Sequence, residues 1–284
     1  VKGEGFALGL AWLADLFPWS ANGQEAAVNP MASKLIPAEL VAAAEFYEAR
    51  SVHVAEGFAE DGNGRVEFRY RLLRPRPVES GRRYPVVLFL HGAGERGDDN
   101  MKQLKYLPAW MAESSALQRH PCFLIAPQCR MDERWVDISW ADKKSVPQSR
   151  FPTADLAAAV AALDDVMRTE SVDPDRVYLT GLSMGGYGTW DLATRMPERF
   201  AALLPICGGG DENTAGRVAK LPIWCFHGDA DATVPVVRSQ SMIEAVRAAG
   251  GSPEYAELPG VGHDSWTPAY RDPAVLDWLF SQRR

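Results

Sequence analysis

The chain has 284 residues, 46% hydrophobic and 24% charged, the make-up of an ordinary globular protein long enough for one large α/β domain. Thirty Lys and Arg against 37 Asp and Glu leave a formal net charge of −7, where a nucleic-acid binder would carry a basic excess. No internal repeat, heptad array or low-complexity tract is present, which sets aside solenoids, coiled coils and disordered interaction segments.

The first segment is apolar. Residues 5–19, GFALGLAWLADLFPW, are interrupted only by Asp15, and Ala21 and Gly23 then show the small-residue spacing of a signal-peptidase site. That site would make Gln24 the mature start. Glu4, Asp15 and a lone Lys2 argue against a leader, so secretion or periplasmic export and cytoplasmic residence both stand. An amphipathic extension docked on the body is the plainer alternative. The run is too short and interrupted for a spanning helix, and no membrane insertion is expected. The expected division is an N-terminal extension, 1–34, with a candidate leader to about 23, and one catalytic domain, 35–284.

Residues 37–50, with Pro37 in the first turn and Ala-rich faces, predict a helix. RVEFRYRLLR, residues 65–74, alternates like a half-exposed strand and predicts antiparallel pairing at a sheet edge. Apolar runs at 86–90, 122–126, 177–180, 202–207, 223–226 and 255–258 predict buried strands. Helices are predicted over 154–170, 185–196, 236–249 and 273–282. Short apolar strands separated by helices call for an α/β fold, with a mainly parallel central sheet and helices on both faces. Of Cys122, Cys129, Cys207 and Cys225, three lie in or at the ends of these runs, and none forms C-x-x-C beside histidines. No metal site is expected; small apolar residues in a sheet are the plain reading, and a disulfide stays open.

Gly181-Leu182-Ser183-Met184-Gly185 falls between a predicted strand and a predicted helix, as a G-x-S-x-G nucleophile elbow does. Such a turn is tight enough to strain the serine backbone and lift its hydroxyl clear of the sheet, and bulky neighbours would clash. The helix beneath presents unpaired N–H groups to a developing anion. A serine needs a base, and the base needs an orienting acid; in this arrangement the chain order is serine, acid, histidine. Only His227 and His263 follow Ser183. His227 ends a strand, where an imidazole is more often structural. His263, in GVGHDSW, sits on a glycine-flanked loop after the last strand and is the expected base. Asp231, in HGDADATVP, has room to reach it and is the expected acid. Asp229 is the reserve, and Asp264 reads as a helix or turn cap.

GLSMGGYGTW, HGDADATVP and GVGHDSW together resemble the α/β-hydrolase superfamily. The closest likeness is to its dienelactone-hydrolase-like and feruloyl-esterase-like carboxylesterases, and to sequences labelled predicted peptidases. The resemblance runs from about Tyr84 to the C-terminus. It implies Ser183 as nucleophile, His263 as base and Asp231 as orienting acid, with no metal or organic cofactor. Dienelactone hydrolases use cysteine at the elbow, so lactone chemistry is not implied.

HGAGERGDDN, residues 91–100, also spells G-x-G-x-x-G through Gly92, Gly94 and Gly97. A dinucleotide site wants a helix opening inside the glycine turn and an acid closing the next strand. Here Asp98, Asp99 and Asn100 read as caps that delay the helix, the next strand ends Ala126-Pro127-Gln128, and Glu95, Asp98 and Asp99 would repel a pyrophosphate. In similar esterases this loop gives one oxyanion N–H and the residue after the serine gives the other. The resemblance thus nominates Ala93 and Met184, with Gly92 as fallback for Ala93.

The interval 208–220 is short and polar, with no room for the cap domain of lipase-like relatives, so an open site is expected. Trp135, Trp140 and Phe151 lie in the longer insertion 130–152, and Trp266 follows His263. The three tryptophans are nominated as a wall for an acyl or aromatic group, with packing beneath the loop as the alternative for each. A carboxylesterase acting on a small ester, or on esters decorating a polymer, fits best. A serine peptidase would use the same triad, but the 34 leading residues leave no space for the propeller of the prolyl-oligopeptidase type. A non-catalytic binding protein would usually lack a triad member. Nothing in the sequence fixes an oligomeric state.

Overall fold

The computed structural model describes residues 36–54 and 66–284; the expected extension and its leader lie outside the described residues. Eight strands form one sheet in the order β1-β2-β4-β3-β5-β6-β7-β8. They are β1 Tyr47–Val54, β2 Val66–Leu73, β3 Tyr84–Leu90, β4 Phe123–Pro127, β5 Val172–Leu182, β6 Ala202–Ile206, β7 Trp224–Gly228 and β8 Glu254–Leu258. From β4 through β8 every pairing is parallel, whereas β2 runs antiparallel to both β1 and β4. The fold is that of an α/β hydrolase.

Strands β3, β4 and β6 in the middle of the sheet are apolar and buried at every position because both faces are covered. Along β3, Val86, Leu88 and Leu90 join one core with α4 (Ala154–Thr169), α5 (Met184–Arg195) and α6 (Val237–Ala248). Val87 and Phe89 point the other way, into a core with α1 (Ala38–Ala44), α2 (Leu107–Met111), α7 (Trp266–Arg271) and α8 (Pro273–Ser281). The short α3 (Ser114–Arg119) adds Leu117 to this second core. Thr153 caps α4 by accepting from Leu156 N at 3.1 Å.

One expected element is corrected. The helix predicted over 37–50 stops at Ala44, and its second half is the edge strand β1, paired Tyr47↔Leu73 through Val54↔Val66. Glu, Ala and Arg favour a helix locally, but the free edge of β2 offers a full backbone ladder, and tertiary pairing overrides propensity. Consequently β2 is one strand in from the edge. All four cysteines are buried free thiols, which closes the disulfide option.

Candidate active site

Parallel strands deliver their C-terminal ends, and the loops beyond them, to one side of the sheet. The chain turns from β5 into α5 at Ser183, from β7 into the Asp231 loop, and from β8 into the His263 loop. Ser183 has φ 54°, ψ −118°, a left-handed backbone unusual for a residue with a Cβ. Its neighbours are glycines for steric reasons: a Cβ on Gly181 would lie 2.4 Å from Gly185 O, and one on Gly185 would lie 1.9 Å from Leu90 O. The serine's own N–H donates to Ile206 O at 3.0 Å.

His263 Nε2 stands 2.9 Å from Ser183 Oγ, and its Nδ1 stands 2.7 Å from Asp231 Oδ2. With Asp231 accepting at Nδ1–H, Nε2 is left with its lone pair toward the serine hydroxyl, the tautomer a general base requires. The Asp231 side chain has no exposure, whereas that of His263 is 25% exposed. Burial alone would push the Asp231 carboxyl up. Hydrogen bonds from His227 and His263, and the backbone N–H of Val234, outweigh it and hold the group well below the usual carboxylate range. Thr233 N and Val234 N donate to Oδ1 at 2.8 and 2.9 Å, leaving Oδ2 for the imidazoles.

The other candidates fall into supporting roles. His227 is buried between Ser239 Oγ at 2.7 Å and Val234 O at 3.0 Å, with Nε2 3.2 Å from Asp231 Oδ2. It props the acid rather than the serine. Asp229 accepts Gly260 N at 2.7 Å and ties two loops together. Asp264 caps α7, accepting Thr267 N and Thr267 Oγ1 at 3.0 and 2.9 Å.

Across from the elbow lies the loop after β3. A Cβ on Gly92 would lie 2.8 Å from Leu182 Cδ1 and 3.7 Å from Ser183 Cβ, so this backbone passes close to the nucleophile and a side chain there would displace Leu182. Ala93 opens a 3-10 turn, Ala93–Glu95, and Met184 opens α5; the first N–H groups of such turns lack internal acceptors. Asp99 delays the next turn as expected, its Oδ1 accepting Met101 N and Lys102 N, both at 2.9 Å.

Nucleophile, base and acid are thus joined in one relay that can transfer the acyl group of an ester. The model of the phospholipase/carboxylesterase family matches residues 78–272, more than half of the chain and all three triad residues. The chain belongs to that family. A thermostable esterase of known crystal structure superimposes with a TM-score of 0.76 at 37% identity, over 86% of this chain and 64% of that one. A carboxylesterase of Arabidopsis thaliana is 24% identical over 192 residues, 62% of this chain and 82% of its own. Poly(3-hydroxyalkanoate) depolymerase C of Paucimonas lemoignei is 45% identical over 126 residues, 44% of this chain and 28% of its own.

The nominated tryptophans of this carboxylesterase part company. Trp135 is fully buried, its Nε1 donating to His91 O at 2.9 Å and its ring edge-on to His91 at 5.1 Å. It braces the loop from behind and has no surface to offer a substrate, a correction to the expected wall. Trp140 is half-buried beneath the Arg134 guanidinium, and its carbonyl accepts the Tyr187 hydroxyl at 3.2 Å. Trp266 lies edge-on to His263, ring centroids 5.1 Å apart at 89°.

Three features of the carboxylesterase site escaped the sequence reading. His91 is buried, with Nδ1–H donating to Gly92 O at 2.6 Å and Nε2 accepting Cys129 N at 3.0 Å. Burial drives it down to about 4, so it is a neutral strut. Glu95 is 6% exposed, and its Oε2 lies against Gly92, 3.0 Å from where a Cβ on that residue would stand. Burial pushes it up to about 7, against the opposing pull of Lys105 and of nearby backbone N–H groups. Gln128 ties the loop to the end of β4, donating to Glu95 O at 3.1 Å and accepting Asn100 N at 2.6 Å. The only sequence signal for these was a polar residue closing an apolar strand. Cys207 Sγ, Asp231 and His263 lie within 4.8 Å of one another and are the one metal-competent group among the described residues. An ion there would capture the atoms that the triad uses.

Proposed function

We propose that this carboxylesterase releases short acyl, acetyl or feruloyl-type groups from small esters or from esters decorating larger polar molecules. The observation that carries the proposal is the connection between β6 and β7. It holds a single 3-10 turn, Glu212–Val218, where lipase-like relatives place a cap, and His263 stays partly open to solvent. An uncapped cleft admits soluble or polymer-borne esters and offers no deep tunnel for a long acyl chain.

Ser183 Oγ attacks the ester carbonyl while its proton passes to His263 Nε2, and Asp231 stabilises the resulting imidazolium. The tetrahedral oxyanion is assigned to Ala93 N–H and Met184 N–H. Collapse expels the alcohol, which takes the proton from Nε2; water then repeats the sequence on the acyl-enzyme and frees the acid. Trp140 and Trp266 are the nominated substrate contacts.

A panel of short-chain aryl esters, acetyl and feruloyl sugar esters, a poly(3-hydroxyalkanoate) film and peptide amides tests the proposal. The esters should turn over and the amides should not. Amide cleavage at comparable kcat/KM would replace the proposal with a serine peptidase on the same triad. Preference for the film would move the substrate to polyesters, as the depolymerase relative suggests.

A further inference from the structure

Four described residues other than glycine have a positive φ: Asn100, Tyr106, Ser183 and Cys207. Tyr106 has φ 66° and ψ −122°, close to the 54° and −118° of the nucleophile. Glycine adopts such angles without strain, whereas a residue with a Cβ is destabilised there by about 1–3 kcal/mol. Holding a tyrosine in this conformation requires contacts that fix its ring, and the ring's position shows what those contacts serve.

The half-buried ring leans on Trp266, centroids 5.3 Å apart at 57°, and on Trp110 at 6.0 Å. Trp266 in turn stands edge-on to the catalytic imidazole at 5.1 Å. The Lys105 ammonium sits 4.6 Å above the tyrosine ring, within electrostatic reach of Glu95 on the loop beside Ser183 and of Asp264 beside His263. Tyr106 therefore stands one ring away from the catalytic histidine. A second local cost lies beside it: the buried indole N–H of Trp266 has no hydrogen-bond partner among the described residues. Strained backbone and an unpaired donor side by side, one ring away from the general base, are the kind of local conflict that folding alone does not select.

His263 Nε2 hands its proton to the departing alkoxide, so the alcohol portion of the ester leaves on the histidine's side of the cleft. We infer that the half-buried Tyr106 ring, backed by the buried Trp266, forms the alcohol subsite of this enzyme and selects esters of aromatic or aralkyl alcohols. The inference rests on ester hydrolysis at Ser183. Tyr106 is a specificity-determining residue under this assignment and takes no part in proton transfer.

The test compares benzyl acetate, ethyl acetate and ethyl benzoate on the wild-type chain and on Tyr106→Gly, which removes the ring and relieves the backbone. Tyr106→Leu serves as a second truncation should the glycine variant lose its fold, and Tyr106→Phe keeps the ring. The glycine and leucine variants should raise KM for benzyl acetate about tenfold, with kcat held and ethyl acetate unchanged in both parameters. The phenylalanine variant should match wild type. An equal loss on benzyl and ethyl acetate, or none on either, would overturn the subsite. A loss confined to ethyl benzoate would move the ring to the acyl side and overturn it as well. Failure of the wild type to hydrolyse any of the three would overturn the esterase mechanism instead, and the subsite with it.

Discussion

Glu95 offers a stability measurement that isolates one carboxyl. Its side chain is 6% exposed, and burial pushes it up to about 7 from an ordinary value of 4.5. A raised acid binds its proton more tightly in the folded chain than in the unfolded one. Its contribution to stability is therefore neutral below the unfolded value and becomes unfavourable as pH rises through the window from about 4.5 to 7, reaching a plateau above. At about 1.4 kcal/mol for each pH unit of that window, the plateau is a destabilisation of roughly 3 kcal/mol. Glu95→Gln keeps the shape and the hydrogen-bonding capacity and removes the charge. Urea unfolding of both proteins at pH 5 and pH 8 is the assay, read by near-ultraviolet dichroism. The variants should differ by less than about 1 kcal/mol at pH 5, and the glutamine form should be more stable at pH 8 by up to about 3 kcal/mol. A difference of the same size at both pH values, or a glutamine variant less stable at pH 8, would refute the reasoning. Ionised Glu95 would then be satisfied by its backbone partners and would strengthen the loop.

Ser183→Ala should fold as the wild type does and lose kcat for ethyl acetate by on the order of 10⁴–10⁶, checked by initial rates beside a thermal melt. Asp231→Asn should lose about 10³–10⁴ in kcat, because the amide cannot stabilise the imidazolium, while Asp229→Asn should stay within a few-fold of wild type. The reverse order would transfer the acid role to Asp229. Turnover of a short-chain ester should rise smoothly through its solubility limit, and emulsified long-chain triglyceride should be a poor substrate. A jump in rate as droplets form would reveal a lid, and residues 130–152 would be the first place to seek it.

The sequence carried most of the sheet because its inner strands are buried on both faces and so read as apolar runs. It failed at 47–54, where an edge strand buries little and helical propensity had no burial pattern to oppose it. The triad was legible for a different reason. Ser183, Asp231 and His263 are separated by 48 and 32 residues, yet each occupies a loop just past a parallel strand, so reading the strands was equivalent to placing the side chains. No comparable rule exists for a side chain whose role depends on what covers it. Trp135 lies in a loop and Trp266 opens α7, both are buried, and packing against His91 or against His263 separates a brace of the oxyanion loop from a neighbour of the base.

The loop 91–100 shows where this limit comes from. Its letters satisfied a phosphate-binding pattern and an oxyanion pattern together, and local spacing could not choose between them. The choice is made by distant partners: Cys129 N on His91, Gln128 on Glu95 and Asn100, and Trp135 on His91 O. These bonds fix the loop that brings Gly92 close to Ser183. Each partner comes from the end of β4 or from the segment that follows it. A loop motif therefore acquires its chemistry from the strand beside it. For this enzyme, changes at Gln128 or Trp135 should act on kcat through the loop, where changes at Tyr106 act on KM through the substrate.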